Sequence, residues 1–299
     1  MPKTALVTGA SGFVGSHLAP ALVAAGHDVR AMTRHPDDYD GAGTAVYGDV
    51  ADTDSLARAL DGADVAYYLV HSLESEDFEE KDADAARAFG KAAAAGGVER
   101  IVYLGGLGSD DETLSPHLRS RRQVETLLGD AGVPVTVLRA AVVIGHGGIS
   151  WEITRQLVKH LPVMITPKWV KTRTQPVALD DVVRYLVGVL DHPDARGRVF
   201  EIGGPDVLRY VDMLTRAAAQ MHKRLWTVDV PFLSPGLSGR WLALVTDVDY
   251  ATARNLVDSM DNEVVVRDRA ILEVVPGDPI GYDEAVRRAL AARAEAERA

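Results

Sequence analysis

The chain has no cysteine among its 299 residues. Disulfides, thiolate catalysis and cysteine-based metal sites are thereby excluded, and no metal site of any kind is read from the sequence. Positive charge is in deficit: 32 basic residues face 43 acidic ones, for a net charge of −11. That balance argues against a nonspecific nucleic-acid binder or an anionic-membrane binder. A long apolar run is missing too. The most apolar late stretch, Leu225 to Thr246, is interrupted by Asp229, Pro231, Pro235 and Arg240, so no membrane span is expected. The opening Met1-Pro-Lys-Thr4 enters an apolar segment almost at once and leaves no room for a signal peptide. A cytoplasmic protein is expected. There is no internal repeat and no disordered linker, and the 47% hydrophobic content can fill a substantial core, in one large domain or a domain plus a lobe.

The stretch Thr4-Ala-Leu-Val-Thr-Gly9-Ala-Ser-Gly12-Phe-Val-Gly15 carries the most information. An apolar strand runs into three glycines spaced G-x-x-G-x-x-G, followed by an amphipathic segment (Val14, Leu18, Leu22, Val23) that stops at Gly26. This is the pattern of a dinucleotide cradle. Gly9 permits the tight turn, Gly12 lets the backbone approach a pyrophosphate, and Gly15 lets the helix pack on the sheet, with the helix N-terminus facing the phosphates. Ser11, Phe13 and Val14 complete the cofactor-binding loop.

The second strand, Asp28 to Thr33, says which dinucleotide. Where an NAD-specific protein places a carboxylate for the ribose 2′-hydroxyl, this chain has Thr33, then Arg34 and His35. A guanidinium suits a 2′-phosphate, so NADP(H) is expected in preference to NAD(H). The plainer alternative is a solvated loop arginine. In Tyr47-Gly-Asp-Val50, Asp49 and Val50 end the third strand near the expected adenine, although Asp49 reads equally well as turn chemistry, with Asp52 or Thr53 capping the next helix. His71 follows the fourth strand on the carboxyl edge where open sheets bind ligands; a hydrogen-bonded structural histidine is the competing reading. Gly105, just past the fifth strand, joins the cofactor-binding set.

Strands at 4–8, 28–33, 44–47, 64–70, 100–104 and 134–143 alternate with helices near 13–25, 53–60, 77–95 and 116–129. The expected fold is α/β, a doubly wound parallel Rossmann sheet in the order 3-2-1-4-5-6-7. Residues 1–145 read as the dinucleotide-binding domain. Residues 146–299 read as a smaller substrate lobe, with about 174–202 returning to the core: Gln175 to Val183 is a short strand leading into a helix capped by Asp180, and Arg198 to Ile202 is another strand. All four tryptophans (Trp151, Trp169, Trp226, Trp241) lie in the second part, with Pro231, Phe232, Pro235 and Gly236, which suggests an aromatic substrate pocket; tryptophans also serve simply as core.

Thr8-Gly-Ala-Ser-Gly-Phe-Val-Gly15, Gly26-His-Asp-Val29, Arg139-Ala-Ala-Val-Val-Ile-Gly145 and Gln175-Pro-Val-Ala-Leu-Asp-Asp-Val182 together resemble an extended or atypical short-chain dehydrogenase/reductase, over nearly the whole chain. Tyr103-Leu-Gly-Gly-Leu-Gly108 followed by Ser115-Pro-His-Leu-Arg-Ser-Arg121 is most similar to the NmrA-like NAD(P)H-binding group, which is itself similar to the NADPH-binding accessory subunit of respiratory complex I. The resemblance implies a Tyr-x-x-x-Lys pair on a helix and a serine at the end of the fifth strand. Those positions carry His117, Arg121 and Gly106 instead. His117 is the candidate general acid, an imidazole with an ordinary pKa near ~6.5 being matched to proton transfer at neutral pH. Arg121 is the candidate to hold ribose hydroxyls or a phosphate, since it stays charged. Two readings of function remain open. One is an NADP(H)-dependent oxidoreductase of a small, partly apolar carbonyl, imine or activated alkene. The other is a non-catalytic NADP(H)-binding redox sensor or assembly factor. A sugar epimerase or dehydratase is weaker, because it leans on the missing pair. A homodimer is left open.

Overall fold

A computed structural model describes residues 1–72, 77–109, 113–166, 168–229 and 245–298. Seven strands, numbered here along the central sheet, are β1 (Thr4–Thr8), β2 (Asp28–Thr33), β3 (Thr44–Tyr47), β4 (Val65–Tyr68), β5 (Arg100–Gly106), β6 (Val135–Ala140) and β7 (Val199–Ile202). They are parallel throughout, in the order β7-β6-β5-β4-β1-β2-β3. That is the expected doubly wound sheet, its seventh strand supplied by the returning segment.

Alternation along the strands explains why both faces are covered. Ala5, Val7, Val29, Ala31, Val65, Tyr67, Val102 and Leu138 point to one side, against helices α1 (Gly15–Ala24) and α6 (Leu179–Asp191). Leu6, Met32, Ala66, Tyr68, Ile101, Tyr103 and Val137 point to the other, against α2 (Thr53–Leu60), α3 (Phe78–Ala95) and α4 (Pro116–Gly129). A strand apolar on both faces is the mark of a parallel sheet sandwiched between helices. Local signals set the helix ends: Asp52 Oδ1 accepts the N–H groups of Asp54 and Ser55, and Ser115 Oγ accepts that of Leu118 with Pro116 in the first position. Asp52, not Thr53, is therefore the cap of α2.

A second core lies in the lobe, where α5 (Ile149–His160), α7 (Tyr210–Gln220), α8 (Tyr250–Ser259) and, beyond the short α9 (Ile271–Val274), α10 (Tyr282–Ala296) pack around Trp151, Leu157, Met213, Leu214 and Val286. Two expectations need correcting. The run 134–143 is not one strand: pairing with β5 and β7 stops at Ala140, and Val143–Ile144 pairs instead with Val177–Ala178. Asp180 does not cap α6. Ala178 occupies that position in an extended conformation, and the Asp180 carboxylate is taken 2.6 Å away by Arg288 of α10.

Candidate functional site

Every loop that leaves a strand at the carboxyl edge near β1 faces the same side. β1 is flanked by β2 and β4, so chain connections diverge on either side of it and leave a crevice, the usual ligand position in open α/β sheets. Buried Thr8 fixes the mouth of that crevice: its hydroxyl donates to the Tyr67 carbonyl (3.0 Å) and accepts the Leu69 N–H (2.9 Å). Two adjoining cavities occupy the edge and share Gly9, Ser11, Val70 and His71 in their walls.

The first cavity, about 300 Å³, is bounded by the ends of β2, β3 and β4, including Thr33, Arg34, His35, Asp49, Val50, Ser72 and Asp82. Arg34 is exposed and, among the described residues, has no hydrogen-bond or ion-pair partner. Thr33 Oγ1 accepts the His35 N–H (3.1 Å), so no carboxylate stands at the strand end. Asp49 has turn chemistry, Oδ1 accepting the Ala51 N–H at 2.9 Å, and still lines the cavity.

The second cavity, about 450 Å³, holds Gly12, Phe13, Val14 and Gly15 on one side and Gly105, Gly106, His117 and Arg121 on the other. The glycine cradle fits a pyrophosphate. Gly9 has φ +61°, a region that disfavours other residues, and a Cβ on Gly15 would overlap the Gly9 carbonyl and lie 2.8 Å from Ala10 Cα. His117 and Arg121, four residues apart on α4, do face the same space. All thirteen residues singled out from the sequence thus line one cavity or the other.

The chemistry of His117 departs from the expectation. Burial first, then the Arg121 guanidinium and His71, push its pKa down to about 3. The imidazole is neutral at neutral pH, so the premise of an ordinary pKa for a general acid does not hold in the free protein. A neutral imidazole still offers an N–H donor. His71 is held below its ordinary value by the same two causes, burial and Arg121. Its side chain is exposed, so solvent screening weakens the effect there. Tyr103 also lines the cavity but is buried, its hydroxyl directed at the Arg121 carbonyl (3.4 Å) and its pKa pushed up to about 12 by burial. It does not replace the missing tyrosine.

Asp82 was not anticipated. It is 4% exposed, lines the first cavity, and accepts the Ser72 N–H at 2.9 Å, which pins the residue after His71. Burial raises its pKa and the charge of Arg121 opposes that. The sequence held a signal for it: Phe78, Asp82, Ala86 and Phe89 form the buried stripe of α3, and a carboxylate on such a stripe has work other than packing.

Another part of the second cavity's wall is largely aliphatic, made by Ala140, Ala141, Val143, Ile149 and Leu256 with Ser150. The expected tryptophan pocket is not found there. Trp151 is fully buried in the lobe core and Trp226 is 66% exposed. The side chain of Trp169, and Pro231, Phe232, Pro235, Gly236 and Trp241, lie outside the described residues.

Among the described residues no helix is long and apolar enough to cross a membrane. The NAD(P)H-binding family matches residues 9–193. A UDP-glucose 4-epimerase from Vibrio cholerae is 22% identical over 290 residues, covering 86% of this chain and 88% of the epimerase. The mitochondrial NADH dehydrogenase (ubiquinone) 1 alpha subcomplex subunit 9 of Mus musculus is 27% identical over 215 residues; the match covers 68% of this chain and 57% of that subunit, so the chain spans little more than half of it. An NADPH-dependent quinone oxidoreductase of Escherichia coli, solved with NADPH, superposes with a TM-score of 0.77 at 21% identity, covering 94% of this chain and 98% of the other, a likeness of fold. The family match runs over more than half of the sequence and begins at the first glycine of the cradle, and the chain belongs to the NAD(P)H-binding family.

Proposed function

We propose that the protein is an NADP(H)-dependent oxidoreductase whose partner substrate is a small, uncharged, partly apolar carbonyl, imine or activated alkene, quinones included. One observation carries the reading. The two adjoining cavities differ in chemistry: one ends in the exposed Arg34 guanidinium, without a partner among the described residues and with no acid at position 33, the other in an aliphatic wall. The first suits a 2′-phosphate and the second an apolar acceptor.

A reduced nicotinamide dinucleotide accommodated by both cavities would supply a hydride. The chain's own residues do the rest. Backbone N–H groups of the glycine loop and the start of α1 would hold the pyrophosphate, and Arg34 would hold the 2′-phosphate. Arg121 would hold the ribose hydroxyls. The neutral His117 donates an N–H to the acceptor oxygen or nitrogen where negative charge builds up, and water delivers the balancing proton. Ala140, Ala141, Val143 and Leu256 keep the reacting face dry, which strengthens that hydrogen bond.

Single-turnover oxidation of NADPH against quinones, enals and cyclic imines tests the reading. At least one member of the panel is expected to oxidise bound NADPH well above the rate without protein. Tight NADPH binding with no turnover of any of them would favour a second reading, the non-catalytic sensor or assembly factor. The missing tyrosine–lysine pair and the likeness to a complex I subunit support that alternative.

A further inference from the structure

We infer that Phe13 is a positioning residue for the acceptor side of the site, separate from the backbone's hold on the cofactor phosphates. The inference rests on the reading above that the acceptor lies beside Ile149 and Ser150. Phe13 belongs to the glycine loop, yet its ring sits against the turn Gly145-His146-Gly147-Gly148, which leads from the short strand Val143–Ile144 into α5. A Cβ on Gly148 would come within 2.6 Å of Phe13 Cζ and 2.7 Å of Cε1; one on Gly145 would meet Leu179 Cβ first, at 2.7 Å, and Phe13 Cζ at 3.1 Å. The ring occupies the space that a side chain on Gly148 would need. On its other edge His17 packs against it, ring centroids 6.3 Å apart and planes at 70°, with Nδ1 2.9 Å from the Phe13 carbonyl.

Backbone conformation accounts for one of these glycines and not for another. Gly147 has φ +83°, which itself favours glycine. Gly148 has φ −73° and ψ 126°, which any residue adopts, and it occupies the N-cap position of α5, where serine, threonine or aspartate would serve better. Space is what Gly148 provides, and Phe13 fills that space. The next two residues, Ile149 and Ser150, line the acceptor cavity. Close packing transmits position, so the ring fixes where α5 begins relative to the glycine loop, and with it the wall that the acceptor meets.

Four variants test this: Phe13→Ala, Gly148→Ala, Phe13→Leu, and Phe13→Leu combined with Gly148→Ala. NADPH affinity is measured by fluorescence titration, and exchange of the Ile149–Glu152 amides by hydrogen-exchange mass spectrometry. Acceptor KM and kcat are measured with 2-methyl-1,4-naphthoquinone at saturating NADPH. Gly148→Ala, which adds a methyl against the Phe13 ring from outside the residues assigned to the cofactor, should leave NADPH affinity within about threefold, since backbone groups hold the phosphates. It should speed exchange at the start of α5 and raise the quinone KM, each about tenfold, at nearly constant kcat. Phe13→Ala should repeat the effects on exchange and KM. The double variant should bring exchange and KM back within about threefold of Phe13→Leu alone, because the shorter side chain leaves room for the new methyl. Gly148→Ala indistinguishable from wild type, or no rescue by leucine, overturns the proposal. Absence of NADPH binding or quinone turnover in the wild type is instead a failure of the functional reading, and the exchange comparison still decides this one.

Discussion

Replacing Gly15 with alanine is expected to abolish NADPH binding and to destabilise the fold. The new Cβ meets backbone and not a movable side chain: it overlaps the Gly9 carbonyl and sits 2.8 Å from both Ala10 Cα and the Gly9 carbonyl carbon. Either α1 moves off the sheet or the turn at Gly9 opens, and each displaces the N–H groups aimed at the phosphates. Overpacking of this kind costs about 1–3 kcal/mol and sometimes more. Calorimetric titration should show no NADPH binding at concentrations that saturate the wild type, and urea unfolding should give a lower midpoint with an unchanged slope. Gly12→Ala separates the two effects. Its Cβ lies 3.1 Å from the Gly9 carbonyl oxygen with no other atom near, so the fold should survive while the close approach of a pyrophosphate is obstructed. Gly15→Ala binding NADPH as well as wild type would remove the glycine loop from the account.

His117→Ala is expected to slow the chemical step by roughly 10²–10³-fold, the usual effect of losing one donor aimed at developing charge. NADPH affinity should change little, because the cofactor is held elsewhere. The pH profile separates a neutral donor from a titrating acid. In the cofactor-free protein the His117 pKa of about 3 leaves the imidazole neutral from pH 6 to 8, and a donor that stays neutral with NADPH bound gives single-turnover rates that are flat across that range on its account. An acid near its ordinary pKa would instead give rates that fall as pH rises through about 6.5. The same depression has a sign for stability. Below the unfolded-state value the unfolded chain binds a proton that the folded chain refuses, so the imidazole's contribution is intact above about pH 6.5 and is lost as pH falls towards 3. In the cofactor-free protein, His117→Asn should therefore flatten part of the acid loss of stability.

How much of this was legible in the sequence depends on how local each feature is. The glycine loop, the strand at Thr4–Thr8, the stop at Gly26 and the helix at Pro116–Gly129 are written in neighbouring residues, and they stand where the spacing puts them. So does the strand at Val199–Ile202, whose alternation survives a long absence from the sheet. The acceptor wall is another matter. Leu256 reaches it from a helix more than a hundred residues beyond His117, and nothing in its own neighbourhood marks it. Tryptophan content left pocket and core both open because the same residue serves either: among the described side chains Trp151 went wholly to the core and Trp226 is exposed. The state of His117 was out of reach for a similar reason, since burial and the approach of Arg121 and His71 exist only once the chain has folded. Asp180 falls one residue inside α6 instead of at its cap, and its partner Arg288 lies 108 residues further along.

The most direct test of the central claim is calorimetric titration of the wild type and Arg34→Ala with NADPH and with NADH. Arg34 lines the first cavity and is exposed without a partner among the described residues, so a 2′-phosphate there gains a charge-assisted hydrogen bond without breaking an existing one. Such bonds are worth about 1.5–3 kcal/mol, which predicts that the wild type prefers NADPH over NADH by roughly tenfold to a hundredfold. Arg34→Ala should lose that preference by weakening NADPH alone, with NADH binding almost unchanged. Equal wild-type affinity for the two nucleotides, or an equal loss of both on removing Arg34, would contradict the account.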